Sequence, residues 1–144
     1  MIVLDANILL YAYDAGARQY PAARKFLEAT LSAPEAVGIP LPTLLAFLRL
    51  STKAGLLASP YTIEEAIAFV ESWLEQPQVR LLTPCERHWS ILKQMLIGGQ
   101  VRGALVTDAE IAALTIEHGG ELYTNDRNFA RFPGLRWTNP LATS

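Results

Sequence analysis

The chain has 144 residues, the size of one ordinary domain. With 51% hydrophobic and 18% charged residues it is too apolar and too sparsely charged to be disordered. Its 12 basic and 14 acidic residues leave a net charge of −2, which excludes binding nucleic acid through an overall positive field. Any such contact must come from a local patch or from metal ions. The lone cysteine, Cys85, cannot form an intrachain disulfide, so a reducing compartment is expected and Cys85 reads as a small apolar filler. Met1 to Asp5 has no basic start, and Asp5 interrupts its apolar run. Charge-free stretches such as Ala36 to Leu48 carry prolines and fall short of the roughly 18 apolar residues of a spanning helix. The expectation is a cytoplasmic protein with no membrane association.

In chain order, Ile2-Val3-Leu4 reads as a buried strand ending at Asp5. A short helix follows over Asn7 to Tyr13, with Asp5 or Asn7 available as its cap. Pro21 suits the first turn of a second helix running to Leu31. Ala36 to Ile39 is the next strand, closed by Pro40, and Thr43 to Lys53 the next helix. Ile63 to Glu75 is the clearest amphipathic helix, with Ile63, Ala66, Ile67, Val70, Trp73 and Leu74 as one apolar stripe. That stripe serves equally as core or as a contact surface. Val79 to Leu82 is a third strand, followed by a helix over Glu86 to Leu96. The next helix, Asp108 to Glu117, is stopped by Gly119-Gly120. Leu122 to Thr124 and Leu135 to Trp137 complete the strands. Short strands alternating with helices predict an α/β fold, a three-layer α/β/α sandwich on a central parallel sheet of four to five strands.

Three aspartates occupy comparable places in this plan. Asp5 follows the first strand, Asp126 follows the fourth, and Asp108 opens a helix. Ligands of open α/β sheets bind beyond the carboxyl ends of the strands. Three carboxylates gathered there repel one another, and a hard divalent cation such as Mg²⁺ or Mn²⁺ resolves the repulsion. Taken singly, each aspartate reads as a helix cap. Glu110 is a further candidate ligand through water, although Thr107-x-x-Glu110 reads first as a capping box. Arg49, Arg102, Arg127 and Arg131 are the candidate phosphate contacts, with Arg127 foremost because it adjoins Asp126. Cys85-x-x-His88 is half of a zinc spacing without a second pair, and His118 is isolated. Trp73, Trp89 and Trp137 read as core or interface packing.

Val3-Leu4-Asp5-Ala6-Asn7, Thr107-Asp108-Ala109 and Tyr123-Thr124-Asn125-Asp126-Arg127-Asn128-Phe129 resemble, in order, the motifs of the PIN-domain family. The nearest resemblance is to VapC-type toxin ribonucleases of bacterial type II toxin–antitoxin pairs. It extends through Leu44-Leu45-Ala46-Phe47-Leu48-Arg49 and Phe129 to Leu135, so 1–144 reads as a single PIN-like domain. The resemblance implies a Mg²⁺- or Mn²⁺-dependent endoribonuclease that hydrolyses RNA with a metal-activated water. Asp5 and Asp108 would be the principal metal ligands and catalytic residues, with Asp126 completing the acidic pocket. Asn7 would support Asp5 by hydrogen bonding, and Arg127 and Arg49 would bind substrate. It also implies a homodimer and a small VapB-like antitoxin whose C-terminal segment occupies the active-site groove.

Two positions depart from that pattern. Ala46 stands where relatives often have glutamate, and Asn128 where many have an acid. Asn128 is left to hold a water or a phosphate, and one or two metal ions both remain open. The thinner acidic set also keeps open a PIN-like protein that binds RNA or antitoxin without cutting. An aspartyl-nucleophile phosphatase built on Asp5 is a third alternative, for which Asn7 cannot be the general acid.

Overall fold

The computed structural model describes residues 1–142, so the last two residues of the expected domain lie outside the described residues. The strands are β1 (Ile2–Leu4), β2 (Val37–Pro40), β3 (Val79–Leu82), β4 (Glu121–Tyr123) and β5 (Trp137–Thr138). The helices are α1 (Ala6–Ala12), α2 (Tyr20–Ser32), α3 (Leu41–Ser51), α4 (Ile63–Leu74), α5 (His88–Gly98) and α6 (Leu105–Glu117). A 3-10 turn covers Arg127–Arg131. The sheet order is β3-β2-β1-β4-β5, with every neighbouring pair parallel. The expected three-layer sandwich is therefore the architecture.

Strand alternation divides the core in two. Leu4, Val37 and Ile39 pack with α1, α2, α3 and α4 around Phe47 and Trp73. Val3, Leu82 and Leu122 face the other way, onto Met95 of α5 and Ala109, Ala112 and Ala113 of α6. Both faces of β1 are covered, which is why its sequence is a continuous apolar run.

Asp5 rather than Asn7 caps α1, its carboxylate accepting the Ala6 N–H at 2.8 Å. Helix α6 begins at Leu105, so Thr107 is helical and Asp108 lies inside the first turn instead of opening the helix. Gly103, at φ 60°, turns the chain just before it. A capping box does exist in the chain, but at Thr62 and Glu65 at the start of α4. The apolar stripe of α4 splits. Ala66, Val70 and Trp73 are buried, whereas Ile63, Ile67 and Leu74 are exposed, because the helix meets the core along only a narrow line. Trp89 is exposed as well, and so is Cys85, which is no core filler.

Gly120 joins α6 to β4 and admits no side chain. A Cβ there would sit 2.5 Å from Val3 Cγ2 and 3.2 Å from the Met1 carbonyl oxygen. Val3 is fully buried and stiff about χ1, so it has nowhere to retreat. Gly120→Ala is expected to destabilise the fold by about 1–3 kcal/mol, read as a lower urea midpoint with unchanged slope. An unaltered midpoint would mean that β1 and β4 are not packed this closely.

Candidate active site

The chain runs from β1 outward through β2 to β3, then returns to place β4 on the other side of β1. The topological switch point therefore lies between β1 and β4, where an open parallel sheet leaves a crevice at its carboxyl edge. Leu4 pairs with Tyr123, which sets the next residues, Asp5 and Thr124, side by side at that edge. The Asp5 N–H continues the ladder by donating to the Tyr123 carbonyl at 3.1 Å.

Asp5 is only 7% exposed. One of its oxygens takes the Ala6 N–H, and the other accepts the Thr124 hydroxyl at 2.7 Å and the Asn7 amide at 3.3 Å. Burial pushes the Asp5 carboxyl above its ordinary pKa, the Thr124 and Ala6 bonds pull it back, and the Asp126 charge raises it. Thr124 was not singled out as a site residue from sequence, yet its hydroxyl is the hub. It is fully buried, donates to Asp5, and accepts the Asp126 N–H at 3.0 Å and the Asn7 amide at 3.3 Å. The available signal was a hydroxyl residue immediately after a strand and two residues before an acid.

Asn7 does support Asp5, and its carbonyl oxygen also takes the Asn125 N–H at 3.2 Å. Asn125 in turn accepts from the Asn139 amide at 2.9 Å, fastening the turn to the chain after β5. Asp126 caps the 3-10 turn by accepting the Asn128 N–H at 2.9 Å. The Asn128 bond to Asp126 thus comes from its backbone, and the residue is exposed.

The first turn of α6 brings Asp108 to the same crevice. Its pKa is raised to about 6, first by burial, then by the negative charges of Asp5 and Asp126, against a lowering by Arg131. The three aspartates thus feel one another across the switch point. They are not drawn into a closed cage, since among the described residues no group of three or more His, Cys, Asp or Glu side chains is already set to hold a metal ion. Arg131, whose guanidinium donates to the Gly99 carbonyl at 3.2 Å, is the cation felt at Asp108. Arg127 and Arg49 are exposed and form no ion pair or side-chain hydrogen bond among the described residues. They remain available to a substrate.

Glu110 does not join the aspartates. Its Oε1 lies 2.5 Å from His88 Nε2, and His88 Nδ1 lies 2.7 Å from Glu117 Oε2. Neither the expected capping box nor a place in the acidic pocket is realised, because α6 starts a turn earlier and positions two apart on a helix face differently. Burial alone would lower the His88 pKa, but its bonds to Glu117 and Glu110 hold it above the ordinary value.

Comparison with known proteins bears directly on this arrangement. The PIN domain model matches residues 2–135. Ribonuclease VapC33 of Mycobacterium tuberculosis is 40% identical over 141 residues, covering 98% of this chain and 99% of that protein. Ribonuclease VapC37 of the same species is 40% identical over 142 residues, covering 99% of each. The chain belongs to the PIN-domain family, in its VapC-type branch. Solved structures share the fold at lower identity. VapBC2 from Rickettsia felis, bound to a DNA fragment from its promoter, superposes with a TM-score of 0.70 at 19% identity, covering 96% of this chain and 98% of that one. VapC20 of Mycobacterium tuberculosis, described as a sarcin-ricin loop cleaving toxin, gives 0.68 at 19%, covering 94% and 99%.

The raised Asp108 carboxyl of this PIN domain makes a signed stability prediction. Its folded pKa, about 6, exceeds the ordinary value of 3.8, so between these values the native state holds the proton more tightly. Native stability therefore falls as pH rises through that window and stays reduced above it. Asp108→Asn is expected to stabilise the metal-free protein at about pH 7.5, by on the order of 1 kcal/mol after solvent screening, with little gain near pH 4. Urea titrations at the two pH values check this, and an equal gain at both would refute the raised Asp108 carboxyl.

Proposed function

We propose that this chain is the toxin of a VapBC-type toxin–antitoxin pair, a Mg²⁺- or Mn²⁺-dependent endoribonuclease that hydrolyses RNA phosphodiesters. The observation that carries this reading is the convergence of Asp5, Asp108 and Asp126 at the β1–β4 switch point, where burial and then the charges of Asp5 and Asp126 raise Asp108 to about 6. Uncompensated carboxylates held this way cost stability, and an oxygen-only anionic donor set is what hard divalent ions select. The residues present fit such an ion, with Asp5 and Asp108 as its principal holders and Asp126 beside them. When bound there, the cation supplies Lewis acidity toward water and a phosphoryl oxygen while neutralising the carboxylates.

The chain's own residues have separable tasks. Thr124 and Asn7 orient Asp5 and keep one of its oxygens in a fixed direction. Arg131, close enough to be felt at Asp108, offsets charge at the pocket edge, and Arg127 and Arg49 meet phosphates of the bound strand. The products are a 5′-phosphate and a 3′-hydroxyl. A cytoplasmic location is part of this reading; among the described residues no helix is long and apolar enough to cross a membrane. Exposed Ile63, Ile67 and Leu74 of α4, with Trp89 and Ile97, supply apolar surface for a second copy and for a VapB-like antitoxin. The one-domain reading of 1–144 goes with this assignment.

The test is cleavage of RNA by the chain freed of any partner. Cutting should require Mg²⁺ or Mn²⁺ and stop with chelator. Asp5→Asn and Asp108→Asn should each reduce the rate by more than about a hundredfold while remaining folded by circular dichroism. Cleavage by either variant at the unsubstituted rate would remove the aspartates from the mechanism.

A further inference from the structure

Beside the acidic pocket, a groove of about 630 Å³ opens between α3, α5 and α6. Its volume lies in the range of small-ligand sites. Leu41, Leu45, Leu92, Val106 and Leu114 make it largely apolar. Thr107, the residue before Asp108 in the first turn of α6, lines it too.

Into this apolar wall the fold sets one oriented acid, Glu110. Glu117, with a side chain 1% exposed, accepts the Cys85 N–H at 3.2 Å and holds His88 Nδ1 at 2.7 Å. The other nitrogen of His88 holds Oε1 of Glu110 at 2.5 Å. The series runs from buried to accessible, since the His88 side chain is 13% exposed and that of Glu110 26%. An imidazolium is the form that donates to both carboxylates. Glu110 Oε2 has no hydrogen-bond partner among the described residues, and each oxygen keeps a free lone pair. Arg49, exposed and without a partner among the described residues, lines the same groove.

We propose that this groove is a base subsite next to the cut phosphodiester, in which Glu110 reads a guanine of single-stranded RNA. This rests on the ribonuclease reading and extends it to specificity. Single-stranded RNA presents splayed bases with free pairing edges. On those edges only guanine offers two adjacent donors, N1–H and the N2 amine, to the two oxygens of one carboxylate. Adenine and cytosine set an acceptor beside their donor, and uracil flanks its donor with acceptors, so each presents an acceptor to Glu110. His88 is a positioning residue that fixes the rotation of the Glu110 carboxylate, and Arg49 meets the adjoining phosphate.

The experiment uses the full chain with Mn²⁺ and a set of short RNAs differing only at the bases flanking the cut, as guanine, inosine or adenine. Inosine lacks just the N2 amine. We expect kcat/KM to fall at least roughly tenfold from guanine to inosine, and further to adenine. In Glu110→Gln the guanine-to-inosine ratio should collapse toward one. In His88→Asn the ratio should shrink partway, a readout that loss of folded protein cannot mimic because it affects both substrates alike. Equal cutting of all three RNAs overturns the subsite and leaves the ribonuclease reading intact. Failure to cut any RNA overturns the ribonuclease reading, and binding of the same RNAs to Asp5→Asn then decides the groove by itself: equal affinities refute it. If Leu45→Glu splits a dimer without changing the guanine-to-inosine ratio, the groove belongs to a second copy and the proposal falls.

Discussion

One hydrogen bond organises this molecule: the fully buried Thr124 hydroxyl donating to Asp5 at 2.7 Å. It spans the ends of two adjacent parallel strands, where register leaves Asp5 and Thr124 facing each other. Because the hydroxyl also accepts from the Asp126 N–H and the Asn7 amide, a single oxygen ties β1, α1 and the turn after β4 together. Those bonds offset part of the cost of desolvating the Asp5 carboxylate, while burial still holds its pKa above the ordinary value.

The rest of the pocket follows from what those bonds leave uncompensated. Asp5 has two side-chain donors and a backbone N–H, while Asp108 has no side-chain hydrogen bond among the described residues and faces Arg131 at the rim. Both carboxyls are raised by burial, and Asp108, with no donor of its own, is raised to about 6. The anchor holding α6 in place is physically separate. Its ion-paired face is turned to His88, while the tightly packed alanines Ala109, Ala112 and Ala113 lie against the sheet. Small side chains let α6 approach β1 and β4 closely, and that closeness brings Asp108 to the crevice.

Charge is therefore used locally in an almost neutral protein. A net charge of −2 creates little long-range attraction for RNA. Acidic residues gather at the switch point, and Arg49, Arg127 and Arg131 are distributed on the α3, turn and rim positions around it. The same economy appears in the groove, where an apolar wall carries one acid held by a histidine.

The sequence by itself determined the layer architecture, the order of elements and the three aspartates. Each rests on local information: apolar runs bounded by glycine and proline, helical periodicity, and acids placed at strand and helix ends. The same local patterns resembled PIN motifs strongly enough to identify the family. Tertiary structure alone decided the partners. Glu110 satisfies a capping pattern with Thr107, yet it pairs with His88, twenty-two positions away, because α6 begins three residues before Asp108. Arg131 rather than Arg127 is felt at Asp108, although Arg127 adjoins Asp126, because the 3-10 turn rotates successive side chains apart. Thr124 became the hub only once β4 lay beside β1, a pairing across more than a hundred residues that no local pattern encodes.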